Sequence, residues 1–182
     1  NRSVKYIFKK KDFGIGSALK SGFRYAYNNN YEYCITMDAD GTHDVKKIPV
    51  FLKLIRSNCF DIISTNRFLL KNSIQEWSFL RIFITKFRFF LVQFILKSEL
   101  DSTGNFRCFN LKKIAKHHFF LSKNKSYFFL IESLFYFEKF KYKIKEIPIY
   151  LNPRVNDNSK MRISHILHAL YSLIRLRLKN FN

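Results

Sequence analysis

The carboxylate pair Asp38-x-Asp40 is the strongest chemical feature of this sequence. It directly follows the apolar, β-prone run 33–37, and His43 lies close behind it. Two carboxylates one residue apart can share a hard divalent cation, Mg²⁺ or Mn²⁺, and such a cation can also bind a diphosphate. The other ligand positions of an EF-hand loop are missing. The pattern therefore indicates a Mg²⁺ or Mn²⁺ site at the carboxyl end of a buried strand, with Asp38 and Asp40 as ligands.

A glycine motif forms a second candidate site. Gly14, Gly16 and Gly22 follow a predicted strand at 4–8 and lie at the start of a predicted helix at 17–28. Small residues allow close backbone approach, and the N-terminus of a helix favours phosphate. The spacing is not the GxGxxG of dinucleotide-binding proteins. Phosphate binding and simple turn or helix packing both remain open.

Cationic side chains recur directly after predicted strands and helices. They are Arg67, Arg107, Arg154 and Lys160. Each alone is typical of a solvated charge. Arginine offers bidentate hydrogen bonds and lysine a point charge, so the recurrence at element ends indicates a cationic pocket for phosphate oxygens.

The elements that must position these side chains alternate between strand and helix. Strands are predicted at 4–8, 33–37, 60–64, 104–109 and 144–151, and helices at 17–28, 45–57, 74–97, 125–140 and 163–179. Such alternation predicts an α/β fold with a mostly parallel sheet, and Pro148 suits an edge strand. With no internal repeat or flexible linker, we expect one domain over 1–162, followed by an amphipathic helix over 163–182.

The composition excludes several classes of protein. The 182 residues are 47% apolar, which rules out wholesale disorder, and Lys+Arg 33 against Asp+Glu 13 gives a net charge of +20. The charge indicates an anionic partner, which could be nucleic acid, a nucleotide, lipid phosphate or a membrane, although a proteome-wide bias towards lysine would also raise it. The three cysteines lie far apart without a CxxC pair, which favours a reducing compartment over a disulfide scaffold.

Two predicted helices are amphipathic in a way that suits a membrane surface. The region 79–96 is rich in phenylalanine and carries Arg81, Lys86 and Arg88, whose long side chains can reach out of an apolar layer. The helix 163–179 has a polar stripe opposite an apolar face, and no apolar run reaches the length of a membrane span. We expect both helices to lie in the interface of an anionic membrane; packing on the domain core is the alternative, above all for the C-terminal helix.

Ordered motifs over about residues 10 to 165 carry a resemblance. They are Gly14-x-Gly16-x-Ala18-x-x-x-Gly22, Met37-Asp38-Ala39-Asp40-x-Thr42-His43, Ile48-Pro49, Asn66-Arg67-Phe68, Asp101-x-Thr103-Gly104-x-Phe106-Arg107, Glu146-Ile147-Pro148-Ile149 and Arg154 with Ser159-Lys160-Met161. Together they resemble family 2 glycosyltransferases, closest to the dolichyl- or polyprenyl-phosphate mannosyl- and glucosyltransferase branch.

The resemblance implies a GT-A fold, which is Rossmann-like with a mostly parallel sheet, and a set of site residues. The implied catalytic residues are Asp38, Asp40, Arg67 and Arg107, with Asp38 and Asp40 on the metal; the implied substrate-binding residues are Gly14, Gly16, Thr42, His43, Thr85, Lys86, Glu132, Arg154, Ser159 and Lys160. The implied reaction moves mannose or glucose from GDP-mannose or UDP-glucose to a polyprenyl or dolichyl phosphate. We expect inversion at the sugar, on the cytoplasmic face of a membrane to which the protein is peripherally bound.

The sequence departs from this family at several positions. Thr65 stands where glycine is usual, Asp157 replaces a glycine, and Leu130 replaces a frequent glutamine two residues before Glu132. The family's first strand, with its P-x-Y-N-E start, is absent. We therefore expect a fragment of a longer chain or a truncated homologue.

Three other functions remain open from the sequence. One is a family 2 glycosyltransferase that acts on another cell-surface glycan. Another is a basic nucleic-acid-binding module with exposed aromatic side chains, although no nucleic-acid-binding motif is visible and we expect no nucleic-acid partner. The third is a catalytically inactive transferase that docks on a membrane or a partner.

Overall fold

The computed structural model describes residues 4–8, 14–71, 73–74, 77–151 and 163–179, and these contain five α-helices and four strands. In chain order they are α1 Ile15–Asn28, β1 Tyr33–Thr36, α2 Ile48–Arg56, β2 Ile62–Asn66, α3 Phe79–Leu96, β3 Arg107–Asn110, α4 Phe128–Lys139, β4 Ile144–Pro148 and α5 Ile163–Leu178. Short 3-10 turns precede α2 at Val45–Lys47 and follow β3 at Lys116–Phe120.

The four strands form one sheet in the order β1-β3-β2-β4. Strand β3 is antiparallel to both of its neighbours, whereas β2 and β4 are parallel, so β1, β2 and β4 all run in the same direction. The expected α/β fold is confirmed. Three of these four strands run in the same direction, which agrees with the expected mostly parallel sheet. The edge position predicted for the strand that contains Pro148 is also confirmed.

Apolar side chains cover both faces of the sheet. Ile62 of β2 and Phe109 of β3 belong to the core under α1 and α4, while Ile63 and Cys108, the adjacent residues on the same strands, belong to the core under α2. This alternation follows from the two-residue period of a strand. Every residue of β2 and β3 is buried, as expected for strands between two helical layers.

A third apolar cluster joins α3, α4 and α5. It contains Val92 and Leu96 of α3, Phe128 of α4, and Leu173 and Leu176 of α5. Part of α5 therefore packs against the domain, as the core-packing alternative expects. Leu173 and Leu176 of this helix are buried in the contact, whereas Ile174 is exposed. Among the described residues, no helix combines the length and the apolar character that crossing a membrane requires.

The strand predicted at 4–8 is wrong. These residues pair with no described strand, and Val4, Tyr6, Ile7 and Phe8 are exposed. Alternating apolar residues are enough for a local prediction, but a strand also needs a neighbour to satisfy its backbone groups.

The glycines at the start of α1 allow another part of the backbone to come close. Gly14 has a φ of 83°, and a Cβ there would lie 2.7 Å from the carbonyl oxygen of Lys125. At Gly16, a Cβ would lie 2.6 Å from the Cβ of Phe129. Gly22, one and a half turns further along α1, has open space around it.

We expect Gly16→Ala to lower the free energy of unfolding by about 1–3 kcal/mol, because the new methyl group overlaps the buried Phe129. The matched change Gly22→Ala lies in the same helix and should raise it by about 0.5–1 kcal/mol, because alanine loses less backbone entropy on folding. Urea unfolding of both variants provides the test. Equal effects would contradict a packing role for Gly16.

Candidate functional site

The loop that follows β1 holds both aspartates in defined positions. The backbone N–H of Asp38 donates to Nδ1 of His43 at 3.1 Å. Oδ1 of Asp40 accepts hydrogen bonds from the backbone N–H of Thr42 at 3.1 Å and from its hydroxyl at 2.6 Å. His43 and Thr42 are buried, and the imidazole ring stacks on Phe106. The structure thus gives Thr42 and His43 a supporting role in this loop; their substrate contacts stay a prediction.

Asn105, which is not among the predicted site residues, lies beside Asp38. Its Nδ2 donates to Oδ1 of Asp38 at 3.0 Å, and its backbone oxygen accepts from Oγ1 of Thr36 at 2.6 Å. The antiparallel direction of β3 creates this contact, and a local sequence pattern carries no sign of strand direction. Asn105 stands at a variable position of the Asp101-to-Arg107 motif, so the residue type alone gave no signal.

A buried ion pair lies at the carboxyl end of β2, which is separated from β1 by β3. Nε of Arg67 lies 2.7 Å from Oδ2 of Asp101, whose side chain is 1% exposed. The backbone N–H and the hydroxyl of Thr103 donate to Oδ1 of the same carboxylate. Burial acts to raise the pKa of Asp101, but the charge of Arg67 and the hydrogen bonds from Arg67 and Thr103 outweigh it, so the pKa is lowered. Asp101 is therefore an anion that holds Arg67 at the carboxyl end of β2.

Glu146 of β4, which was not predicted as a site residue, contacts this ion pair through the backbone of Asp101. Its Oε1 accepts from the backbone N–H of Asp101 at 2.8 Å, and its Oε2 accepts from Nδ2 of Asn66 at 2.7 Å. Burial raises the pKa of Glu146, against the opposing hydrogen bonds. One carboxylate thus connects β2, β4 and the segment that leads into β3.

Arg107 lies inside the domain, with 2% of its surface exposed. Its Nη1 donates to the carbonyl of Leu130 at 3.1 Å and its Nη2 to the carbonyl of Ser102 at 2.7 Å. Burial lowers the pKa of this guanidinium to about 10. The geometry gives Arg107 a structural role, and the catalytic role predicted for it stays a prediction.

The remaining predicted residues lie in several places. On α3, Thr85 is buried and Lys86 is exposed. Glu132 on α4 accepts a hydrogen bond from Ser122 at 2.5 Å, and Lys20 donates to the carbonyls of Ser122 and Asn124. Burial lowers the pKa of Lys20, while the nearby charge of Glu132 acts to raise it.

Gly14 and Gly16 are accounted for by the close packing of α1, so their contact with a substrate also stays a prediction. Arg154, Ser159 and Lys160 lie outside the described residues.

The loop after β1 fits a hard divalent cation by its chemistry. Asp38 is half-buried and Asp40 is exposed, so both carboxylates offer oxygen ligands at an accessible edge of the sheet. Over the described part of the chain, no group of three or more His, Cys, Asp and Glu side chains is placed to hold a metal ion. Mg²⁺ does not require such a group, because it is commonly held by one or two carboxylates together with substrate phosphates and water.

Comparison with known proteins identifies a family and two relatives. The sequence profile of Glycosyl transferase family 2 matches residues 1–119. Polyprenol monophosphomannose synthase of Mycolicibacterium smegmatis is 24% identical over 171 residues, which are 93% of this chain and 64% of that protein. Undecaprenyl-phosphate mannosyltransferase of Micrococcus luteus is 24% identical over 174 residues, which are 95% of this chain and 71% of that protein. The chain thus spans less than two thirds of the first relative and somewhat more of the second.

We expect Asp101→Asn to lower the free energy of unfolding by about 3 kcal/mol, because it leaves the guanidinium of Arg67 without its buried counter-charge. Thermal and urea unfolding measure the loss. Glu32→Gln provides a matched control, because it breaks an ion pair with Lys112 that is exposed on both sides and should change stability little.

The stability of wild type and that of Asp101→Asn should depend differently on pH. The pKa of Asp101 is lowered in the folded protein, so its contribution to stability is present above the ordinary aspartate pKa of about 3.9 and is lost as the pH falls further. Wild type should therefore lose more stability than Asp101→Asn between pH 7 and pH 3. If the free energies of unfolding of the two proteins change equally with pH, the Arg67–Asp101 pair does not stabilise the fold.

Proposed function

The chain belongs to glycosyl transferase family 2, and on that premise we propose that it transfers mannose or glucose from a nucleotide-sugar, GDP-mannose or UDP-glucose, to a polyprenyl or dolichyl phosphate. The observation that carries this proposal is the pair Asp38 and Asp40, held by hydrogen bonds at the carboxyl end of β1. The names of the two relatives, a polyprenol monophosphomannose synthase and an undecaprenyl-phosphate mannosyltransferase, support the acceptor class.

We assign Mg²⁺ or Mn²⁺ to this pair of carboxylates as the cofactor. When bound, the cation would neutralise charge on the donor diphosphate as it leaves. The chain's own part is to hold both aspartates in position. Thr42 does this for Asp40, while His43 and Asn105 do it for Asp38.

The acceptor needs little activation by the protein. A phosphomonoester has a second pKa of about 6, so a lipid phosphate is already a nucleophile at neutral pH. The task of the chain is then to align two anionic groups, which favours cationic side chains over a general base. Arg67, fixed by Asp101 at the carboxyl end of β2, and Lys86 on the surface of α3 are the described candidates. In-line attack gives inversion at the anomeric carbon.

The exposed aromatic face of α3 supports peripheral binding to an anionic membrane. Its residues are Phe79, Phe83, Phe87, Phe90 and Phe94, with exposures from 47% to 85%. They follow spacings of four, four, three and four residues, which places them on one side of the helix. The adjacent helix α5 adds exposed Tyr171, Ile174 and Leu178. Exposed apolar side chains on two helices that pack together, in a chain with a net charge of +20, suit an interface with anionic lipid.

We place this membrane contact on the cytoplasmic face. The three cysteines, Cys34, Cys59 and Cys108, are all free thiols, which suits a reducing compartment.

Transfer of radiolabel from GDP-mannose or UDP-glucose to a short-chain polyprenyl phosphate, with Mn²⁺ or Mg²⁺, tests the reaction in the full-length protein. We expect Asp40→Asn to reduce transfer by about 100-fold or more, because a cation ligand is lost while the loop's hydrogen bonds can persist. Asp44→Asn is the control, because it removes the same charge four residues away and keeps a side chain that can cap the following turn. No label in the lipid with either donor would refute the proposal.

Sedimentation with phosphatidylcholine vesicles that contain phosphatidylserine tests the membrane surface. The double change Phe83→Ser with Phe90→Ser should weaken binding by about tenfold or more, because two large apolar side chains are lost from the contact. Tyr31→Ser, at an exposed aromatic residue outside the α3 row, should leave binding unchanged. If the double variant binds the vesicles as tightly as wild type does, the aromatic row of α3 is not the membrane contact.

A further inference from the structure

The register between β1 and β3 places one residue opposite Asp38. Tyr33 pairs with Asn110, and Thr36 pairs with Arg107, so each step along β1 matches a step back along β3. Two residues beyond the last pair, this register brings Asp38 opposite Asn105. Side chains directly opposite on antiparallel strands are close enough to interact, and the 3.0 Å hydrogen bond from Nδ2 of Asn105 to Oδ1 of Asp38 is that interaction.

Asn105 is itself firmly held. It is 4% exposed, and its backbone oxygen accepts the hydroxyl hydrogen bond from Thr36. The next residue, Phe106, is fully buried and stacks on His43, whose Nδ1 accepts from the backbone of Asp38. The segment 105–106 therefore fixes Asp38 twice, through its carboxylate and through its main chain.

The orientation of the amide follows from the hydrogen bonds. With Nδ2 towards Asp38, a donor faces an acceptor, whereas the flipped amide would set an oxygen against a carboxylate oxygen. An amide suits this position because it donates without a charge. An arginine or lysine would neutralise the carboxylate, and an aspartate would repel it.

We propose that Asn105 is a positioning residue, which holds one oxygen of Asp38 so that the other is presented to a divalent cation. The inference rests on the metal role proposed above. Hydrogen-bonding partners of metal-binding carboxylates commonly change metal affinity by about 10–100-fold when they are removed.

The test measures the dissociation constant of Mn²⁺ directly, from the electron paramagnetic resonance signal of the free ion, and needs no turnover. Asn105→Leu keeps the number and branching of the side-chain heavy atoms and removes the donor, and we expect it to weaken Mn²⁺ binding by about 10–100-fold. Thr36→Val is the matched control, because it removes the hydrogen bond to the backbone of Asn105 and leaves the amide in place. It should change the dissociation constant by less than about threefold, well below the effect of removing the amide. Circular dichroism checks the fold of each variant, and Asn105→Ala replaces Asn105→Leu if the latter does not fold.

The possible results separate the two proposals. Mn²⁺ affinity that depends on Asp40 but not on Asn105 overturns the positioning role and leaves the metal role intact. An equal loss in Thr36→Val and Asn105→Leu also overturns it, because the effect would then come from general disturbance of the segment. If wild type and Asp40→Asn bind Mn²⁺ with the same weak affinity, the metal role and the positioning role are both overturned.

Discussion

Strand β3 runs antiparallel between β1 and β2, and the rest of the candidate site depends on this pairing. Because β3 points the opposite way, the residues that precede it arrive at the edge of the sheet where β1 and β2 end. Asp101 and Asn105 therefore meet Arg67 and Asp38, which follow the other two strands. A parallel strand at the same place would have brought the residues after Asn110 to this edge instead.

Two buried carboxylates at this end of the sheet have pKa values that are shifted in opposite directions. The pKa of Asp101 is lowered by Arg67, whereas burial raises that of Glu146. Buried ionic groups seldom add net stability compared with apolar ones, but removal of one partner is costly because the other stays desolvated. We interpret the network of Asp101, Arg67 and Glu146 as a device that fixes the ends of β2 and β4 relative to the segment before β3.

The sequence was informative where the signal is local. Helix α1 follows from the helical spacing of its apolar residues, and α3 and α4 follow from long runs rich in aromatic residues. The strand before Asp38 follows from a short apolar, β-prone run, and its accessible end follows from the two acids behind it. Strand direction and pairing are not local properties. For this reason the local pattern does not single out Asn105 or Glu146, and it predicts a strand at 4–8 that the structure does not form. The guanidinium of Arg107 binds two carbonyls inside the domain, and the catalytic role predicted for this residue stays a prediction.

The phenylalanines that the structure describes include two groups that have different physical causes. One group fills the core, where Phe23, Phe109, Phe119 and Phe137 contact one another at ring distances of 4.2 to 6.0 Å. The other forms the exposed row on α3, which no described element covers. A compositional bias towards phenylalanine would scatter such side chains over the surface without regard to helical period. Five exposed rings on one side of a single helix form a positional pattern, and this pattern, more than the amount of phenylalanine or lysine, is the reason to assign a membrane-facing surface to α3.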